Sequence, residues 1–201
     1  MMRERERYIV FNPTLILLTK RMLMARLFVG LQIPTALKTH LKRLQRAVPP
    51  GARVSRPINW HLTLAFIGEA DLSQAKAALA AGTYNAPHVV LTAPGWFGRS
   101  ERRSYWLGAE QTPSLLALHQ TLHADLRAAG LEPDDKPFVP HITLARGRGT
   151  SAEEEYFRQQ SVPSGLEFRP DEFCLYSSEP QPHGSVYNVE ARYGLAGVNK
   201  A

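Results

Sequence analysis

The sequence predicts an α+β protein of two similar lobes, and three observations predict it. Two tetrapeptides nearly repeat each other, His61-Leu62-Thr63-Leu64 and His141-Ile142-Thr143-Leu144. Each lies in an apolar stretch, Trp60 to Ile67 and Phe138 to Ala145, that reads as a strand. A strand–helix–motif-strand order before residue 70 is answered by a related helix–motif-strand order after residue 112. The expected architecture is two lobes with antiparallel sheets and outer helices, related by a pseudo-two-fold, with a cleft between them.

Met1 to Leu23 differ in composition from the rest of the chain. They open on Arg3-Glu4-Arg5-Glu6-Arg7, and the apolar run Leu15 to Leu18 is too short to span a bilayer. As a signal peptide the segment is poor: Asn12-Pro13 interrupts it, and Lys20-Arg21 stand where small residues belong. We read residues 1–23 as an extension and 24–201 as one bilobal domain. Arg26 to Gln32 predicts the first strand. Pro34 opens a helix whose Leu37, Leu41, Leu44 and Val48 keep helical spacing, and Pro49-Pro50-Gly51 ends it. Its Lys38, Lys42, Arg43 and Arg46 read as a solvated face. After the first motif strand, Asp71 to Ala81 is a short helix ending at Gly82. His88 to Ala93, Trp96 to Gly98 and Ser104 to Ala109 read as short strands. Thr112-Pro113 begins a second long helix, an N-cap followed by proline, with a Leu115, Leu118, Leu122 and Leu126 stripe and Gly130 as its stop. The second motif strand comes next, then an acidic stretch at Glu153 to Glu155, and late strands at Leu166 to Ser177 and Ser185 to Tyr193.

Along a strand, side chains alternate faces, so His and Thr two apart point the same way. Leu62 and Leu64, like Ile142 and Leu144, then face a dry back. Each motif presents one imidazole and one hydroxyl on its front. Two imidazoles can supply a base and an acid near neutral pH, and two hydroxyls can donate to an anionic group.

The net charge of +6 favours a polyanionic partner without specifying a fold. The single cysteine, Cys174, excludes an internal disulfide and fits a reducing cytoplasm. Its neighbours Phe173 and Leu175 make it a buried thiol rather than a nucleophile. Other candidates are weaker. His119 and His123 are four apart, a spacing seen in metal sites, but lack further ligands and read as helix-surface histidines. Gly147-Arg148-Gly149 is too short for a phosphate loop. Trp96, Phe97, Tyr105 and Trp106 read as core before they read as base-stacking groups. Arg99, Arg102 and Arg103 fit RNA contact and a solvated loop equally. His183 sits in a turn and reads as exposed.

The paired motifs and their flanks resemble the 2H phosphoesterase superfamily, and within it the bacterial and archaeal RNA 2′,3′-cyclic phosphodiesterases once described as 2′-5′ RNA ligases. The matching stretches are Arg26 to Gly30 with Pro34, Asn59 to Gly68, Tyr105 to Gly108, Pro137 to Arg146 and Phe173 to Ser178. The resemblance implies hydrolysis of RNA 2′,3′-cyclic phosphate ends to 2′-phosphomonoesters, in an active-site cleft between the lobes. His61 would be the proton donor to the leaving 3′ oxygen and His141 the proton acceptor from water. Thr63, Thr143 and Arg146 would bind the substrate. No metal or cofactor is expected, the partner is an RNA or oligonucleotide end, and a monomer without membrane association is expected. Reversal of the same chemistry would form a 2′-5′ linkage. The alternatives are a phosphodiesterase acting on another cyclic or 2′-5′ linked nucleotide, and a module that holds RNA ends without turnover. Strand alternation opposes the role of Arg146: His141, Thr143 and Ala145 share one face, so Arg146 reaches the phosphate only if the strand ends or bulges, which Gly147 permits. Finally, a chain starting at Met24 should fold and turn over like the full chain, as circular dichroism and activity would show; an insoluble or inactive product would make residues 1–23 structural.

Overall fold

The computed structural model describes residues 24–99, 102–182 and 184–197. The extension assigned to residues 1–23, and His183, lie outside the described residues. The first half of the chain supplies β1 (Met24–Gln32), α1 (Thr35–Gln45), β2 (Ala52–Val54), β3 (His61–Asp71) and α2 (Leu72–Ala81). The second supplies β4 (Val89–Phe97), β5 (Arg103–Ala109), α3 (Pro113–Ala128), β6 (His141–Gly147) and α4 (Ser151–Arg158). Three late strands complete the fold: β7 (Glu167–Phe168), β8 (Glu172–Glu179) and β9 (Val186–Gly194).

The strands form one antiparallel nine-stranded sheet, ordered β7-β4-β5-β6-β3-β1-β8-β9, with β2 also on β6. The expected pair of sheets is therefore one continuous sheet. Its order reads alike from both edges: each motif strand lies beside the strand that precedes the long helix of its own half, β3 beside β1 and β6 beside β5. The two motif strands meet at a single ladder position, Leu62 opposite Ile142.

The long helices cross between halves. α1 follows β1 but packs on β6, while α3 follows β5 but packs on β3. The reason is legible in the stripes: Leu37, Leu41 and Leu44 of α1, and Leu115, Leu118, Leu122 and Leu126 of α3, are all buried. They join one core with the motif-strand backs, where Leu62, Leu64, Ile142 and Leu144 are at most 1% exposed. Caps fix the helix starts. Asp71 accepts from Gln74 N at 2.9 Å, Thr112 from Leu115 N at 3.3 Å, and Thr150 with Glu153 forms a reciprocal capping box. Gly130 takes φ 77° just past α3, which only glycine adopts without strain.

Three elements differ from the sequence expectation. The strands expected at His88 to Ala93 and Trp96 to Gly98 are one strand, β4. Pro94 is accommodated by an irregular register against β5 between Leu91 and Pro94. The strand expected from Leu166 to Ser177 divides at Arg169-Pro170-Asp171 into β7 and β8. β2 is new: three residues without apolar alternation gave it no signal.

Leu122 is 0% exposed where α3 meets the core. Leu122→Ala should destabilise the fold by about 2–5 kcal/mol through lost burial and a cavity, measurable by urea unfolding. A loss below about 1 kcal/mol would show that α3 is not anchored there.

Candidate active site

Each motif strand carries a bulge at the same place. In β3, Thr63 opposes Gly30 and Ala65 opposes Val29, which leaves Leu64 as an extra residue. In β6, Thr143 opposes Trp106 and Ala145 opposes Tyr105, which leaves Leu144 extra. An extra residue shifts the alternation by one. Hence Leu144 and Ala145 are buried in succession, and Arg146 returns to the face of His141 and Thr143. The bulge that Arg146 requires exists, but at Leu144, before it. Gly147 serves another purpose. A Cβ there would lie 2.6 Å from Ala52 Cα and from Gly51 O, so glycine permits the close approach of β2.

Both histidines are held by one device. His61 Nδ1 lies 2.7 Å from Asn59 O, and His141 Nδ1 lies 2.7 Å from Val139 O. A carbonyl only accepts, so each Nδ1 carries the proton and each Nε2 keeps its lone pair. In both cases the acceptor is the carbonyl two residues upstream, just before the strand begins. The same backbone geometry therefore sets both tautomers.

These side chains converge on a cleft of about 450 Å³ lined by His61, Thr63, His141, Thr143 and Arg146. All five predicted site residues are brought together. The threonine hydroxyls have no partner among the described residues and are free to donate to a ligand. Sequence reasoning missed several walls. Arg53 and Arg56 come from β2 and the segment after it, and Ser185 and Tyr187 come from the start of β9 and the turn before it. Around His61 stand Phe28 at 4.7 Å, Tyr187 at 5.2 Å and Tyr176 at 5.9 Å between ring centroids. His141 is flanked by Phe97 at 4.9 Å, edge to face, and by Trp106 at 6.1 Å. Phe97 and Trp106 thus pack against the His141 ring, whereas Tyr105 is fully buried core.

Burial pushes His61 from its ordinary 6.5 down to about 4, with smaller contributions from the nearby charges of His141 and Arg146. His141 is also lowered, by burial first and then by Arg146, with its carbonyl contact opposing. At neutral pH the empty cleft therefore holds two neutral imidazoles beside a guanidinium. An anion seated there reverses the balance, because it favours the protonated form of either ring.

The remaining candidates resolve structurally. His119 and His123 are not plain surface residues. His119 Nδ1 donates to Leu64 O at 2.7 Å and its ring stacks on Phe138 at 4.0 Å, while His123 is only 7% exposed. Among the described residues no group of three or more His, Cys, Asp or Glu is placed to hold a metal ion. Arg103 is a core anchor rather than an RNA contact, paired with buried Glu154 at 2.7 Å. Arg99 and Arg102 are exposed. No described helix is long and apolar enough to cross a membrane.

Comparison with known proteins agrees with this geometry. The model of the 2′-5′ RNA ligase superfamily matches residues 28–182. An RNA 2′,3′-cyclic phosphodiesterase from Thermus thermophilus is 31% identical over 185 residues, 86% of this chain and 91% of its own length. Its Escherichia coli counterpart is 35% identical over 178 residues, 85% of this chain and 96% of its own. The crystal structure of E. coli LigT complexed with 3′-AMP superposes with a TM-score of 0.70 at 27% identity, covering 87% of this chain and 99% of that one.

The lowered His61 has a consequence for stability. The unfolded ring takes up its proton near 6.5 and the folded one only near 4, so between these values the unfolded chain binds more protons. Stability contributed by neutral His61 is full above about pH 6.5, falls as the pH drops toward 4, and levels off below. Urea unfolding across this window should show a steeper loss in the native protein than in His61→Gln. Equal slopes would contradict the burial of a neutral ring.

Proposed function

The chain belongs to the 2′-5′ RNA ligase superfamily, and from that premise we propose that it hydrolyses 2′,3′-cyclic phosphate ends of RNA to 2′-phosphomonoesters. One observation carries the reading. Two imidazoles, locked in the same tautomer by equivalent carbonyls, face one cleft together with two unpartnered hydroxyls and Arg146.

Opening a cyclic phosphodiester by in-line displacement needs a base on one side of phosphorus and an acid on the other. His141 Nε2 takes a proton from water as its oxygen bonds to phosphorus. The bond from phosphorus to the 3′ oxygen breaks, and His61 Nε2–H protonates that oxygen. His61 must therefore be protonated in the bound state. The negative charge of the cyclic phosphate supplies this by favouring imidazolium beside it, against the burial that lowers His61 in the empty cleft. Thr63, Thr143 and Arg146 hold the charge-bearing phosphoryl oxygens. The net charge of +6 and the cleft residues Arg53 and Arg56 accord with an RNA strand. With a 5′ hydroxyl in place of water, the same proton transfers open the cyclic phosphate to a 2′-5′ linkage: His141 takes the proton of the attacking hydroxyl and His61 protonates the leaving 3′ oxygen. We read the working unit as a monomer in a reducing cytoplasm, which the single, buried Cys174 accords with.

The test is product analysis on an RNA with a 2′,3′-cyclic end, in buffer containing EDTA. The expected product is the 2′-phosphate. His61→Ala and His141→Ala should each lower turnover by about 10²–10⁴-fold, the usual worth of a positioned proton-transfer group, while remaining folded. A 3′-phosphate product would overturn the acid and base assignment. No turnover by the native protein, or near-native turnover by either variant, would overturn the two-histidine reading.

A further inference from the structure

Past Leu62 and Ile142 the motif strands pair no further. From Ala145 onward β6 pairs with β2, while the next carbonyl of β3, Leu64 O, faces α3. The bulged residue of each motif then finds a side-chain donor from the helix of the opposite half. His119 Nδ1 of α3 donates to Leu64 O at 2.7 Å. Gln45 Nε2 of α1 donates to Leu144 O at 2.8 Å and to Ser55 O at 2.7 Å. Ser55 N also reaches Leu144 O, at 2.7 Å, so Gln45 closes a small knot between the β6 bulge and the cleft wall at Ser55. Both neighbours of the Gln45 amide group are carbonyls, so the atom facing them is its nitrogen.

We propose that Gln45 and His119 are positioning residues that pin the two bulges from the opposite halves and so aim the cleft side chains. The physical reason is the phase of the strand. A bulge is one extra residue, and its loss would turn every later side chain to the other face. On β6 that residue is Arg146, which faces the cleft only because Leu144 is extra. On β3 it is Phe66, which packs with Phe28 and Tyr176 in the aromatic group around His61. Without Gln45, Leu144 O keeps only Ser55 N and Ser55 O loses its side-chain donor; without His119, Leu64 O loses its side-chain donor. In a half-buried junction such a carbonyl draws in water or seeks a regular ladder, and either change loosens the bulge. The donors differ chemically, an amide and an imidazole, yet act on the same motif position. That equivalence marks the position rather than the residue type as the thing held. The proposal rests on the phosphodiester reading for its catalytic readout and on the geometry alone for its binding readout.

The experiment is a double-mutant cycle between Gln45→Met and Arg146→Ala. It reads kcat/KM on a 2′,3′-cyclic nucleotide and calorimetric affinity for inorganic phosphate. Gln45→Met should lower kcat/KM about 10- to 100-fold, as a small misplacement of a substrate-holding group does, and should weaken phosphate binding. In the Arg146→Ala background the same exchange should change both by less than about twofold, since the group it acts through is gone. His119→Gln, which returns a donor to Leu64 O, should keep kcat/KM within about threefold, whereas His119→Leu should lose about tenfold. Equal losses in both Arg146 backgrounds, no loss in folded Gln45→Met, or His119→Gln as impaired as His119→Leu would each overturn the proposal. If Gln45→Met does not fold, the His119 pair decides. If the native protein opens no cyclic phosphate, the functional reading fails, and the phosphate-affinity cycle still decides whether Gln45 acts through Arg146.

Discussion

Leu62 opposite Ile142 is the one ladder position that the two motif strands share, and the cleft is arranged around it. On the back of that pair, both side chains are fully buried in the common core. On the front, the residues on either side of each are His61 and Thr63, and His141 and Thr143. A ladder position fixes relative height and facing more tightly than a packed interface does, because backbone hydrogen bonds admit one register at a time. The crossed helices then brace the junction, with α1 against β6 and α3 against β3. Neither half can shift without uncovering the other's motif strand. Cleft imidazoles drawn from residues 80 apart in the chain are thus held by the core and not by loops.

The site combines rigidity with an electrostatic bias against protons. Two imidazoles and a guanidinium face one cleft, and burial keeps the rings neutral while it is empty. An anion that enters finds donors ready, and it raises the proton affinity of the rings beside it. Linkage makes this reciprocal: uptake of a proton strengthens the binding of the anion by the same factor. On the proposed mechanism, acid and base thus need no difference in sequence between the motifs. The difference arises from which side of phosphorus the attacking water and the leaving oxygen occupy.

Much of this is legible in the amino-acid sequence. The repeated His-x-Thr-x pattern, read with strand alternation, places four site residues on two front faces. The leucine stripes predict both long helices, and Thr112 predicts a helix cap. The remainder is hidden for physical reasons. The bulges at Leu64 and Leu144 leave no mark in a run of apolar residues, so alternation alone sends Arg146 to the wrong face. β2 is three residues long and largely exposed, and it is held by pairing with β6 rather than by its own pattern. Without β2, Arg53 and Arg56 cannot be seen as cleft residues. Tyr187 reaches His61 from the far end of the chain through β9, a placement that depends on sheet order. His119 and His123 lie on the edge of an apolar stripe, where local spacing cannot distinguish a surface ring from one bonded to a neighbouring strand.

The central claim is that two backbone carbonyls present both imidazoles with Nδ1 protonated and Nε2 open toward the cleft. Nitrogen-15 NMR of the histidine rings at neutral pH tests it most directly, with His61→Gln and His141→Gln variants assigning the signals. Both rings should be neutral and in the Nδ1–H form, and saturating inorganic phosphate should move them toward the protonated state. A neutral Nε2–H form of either ring, or a ring already charged at neutral pH in the empty protein, would contradict it.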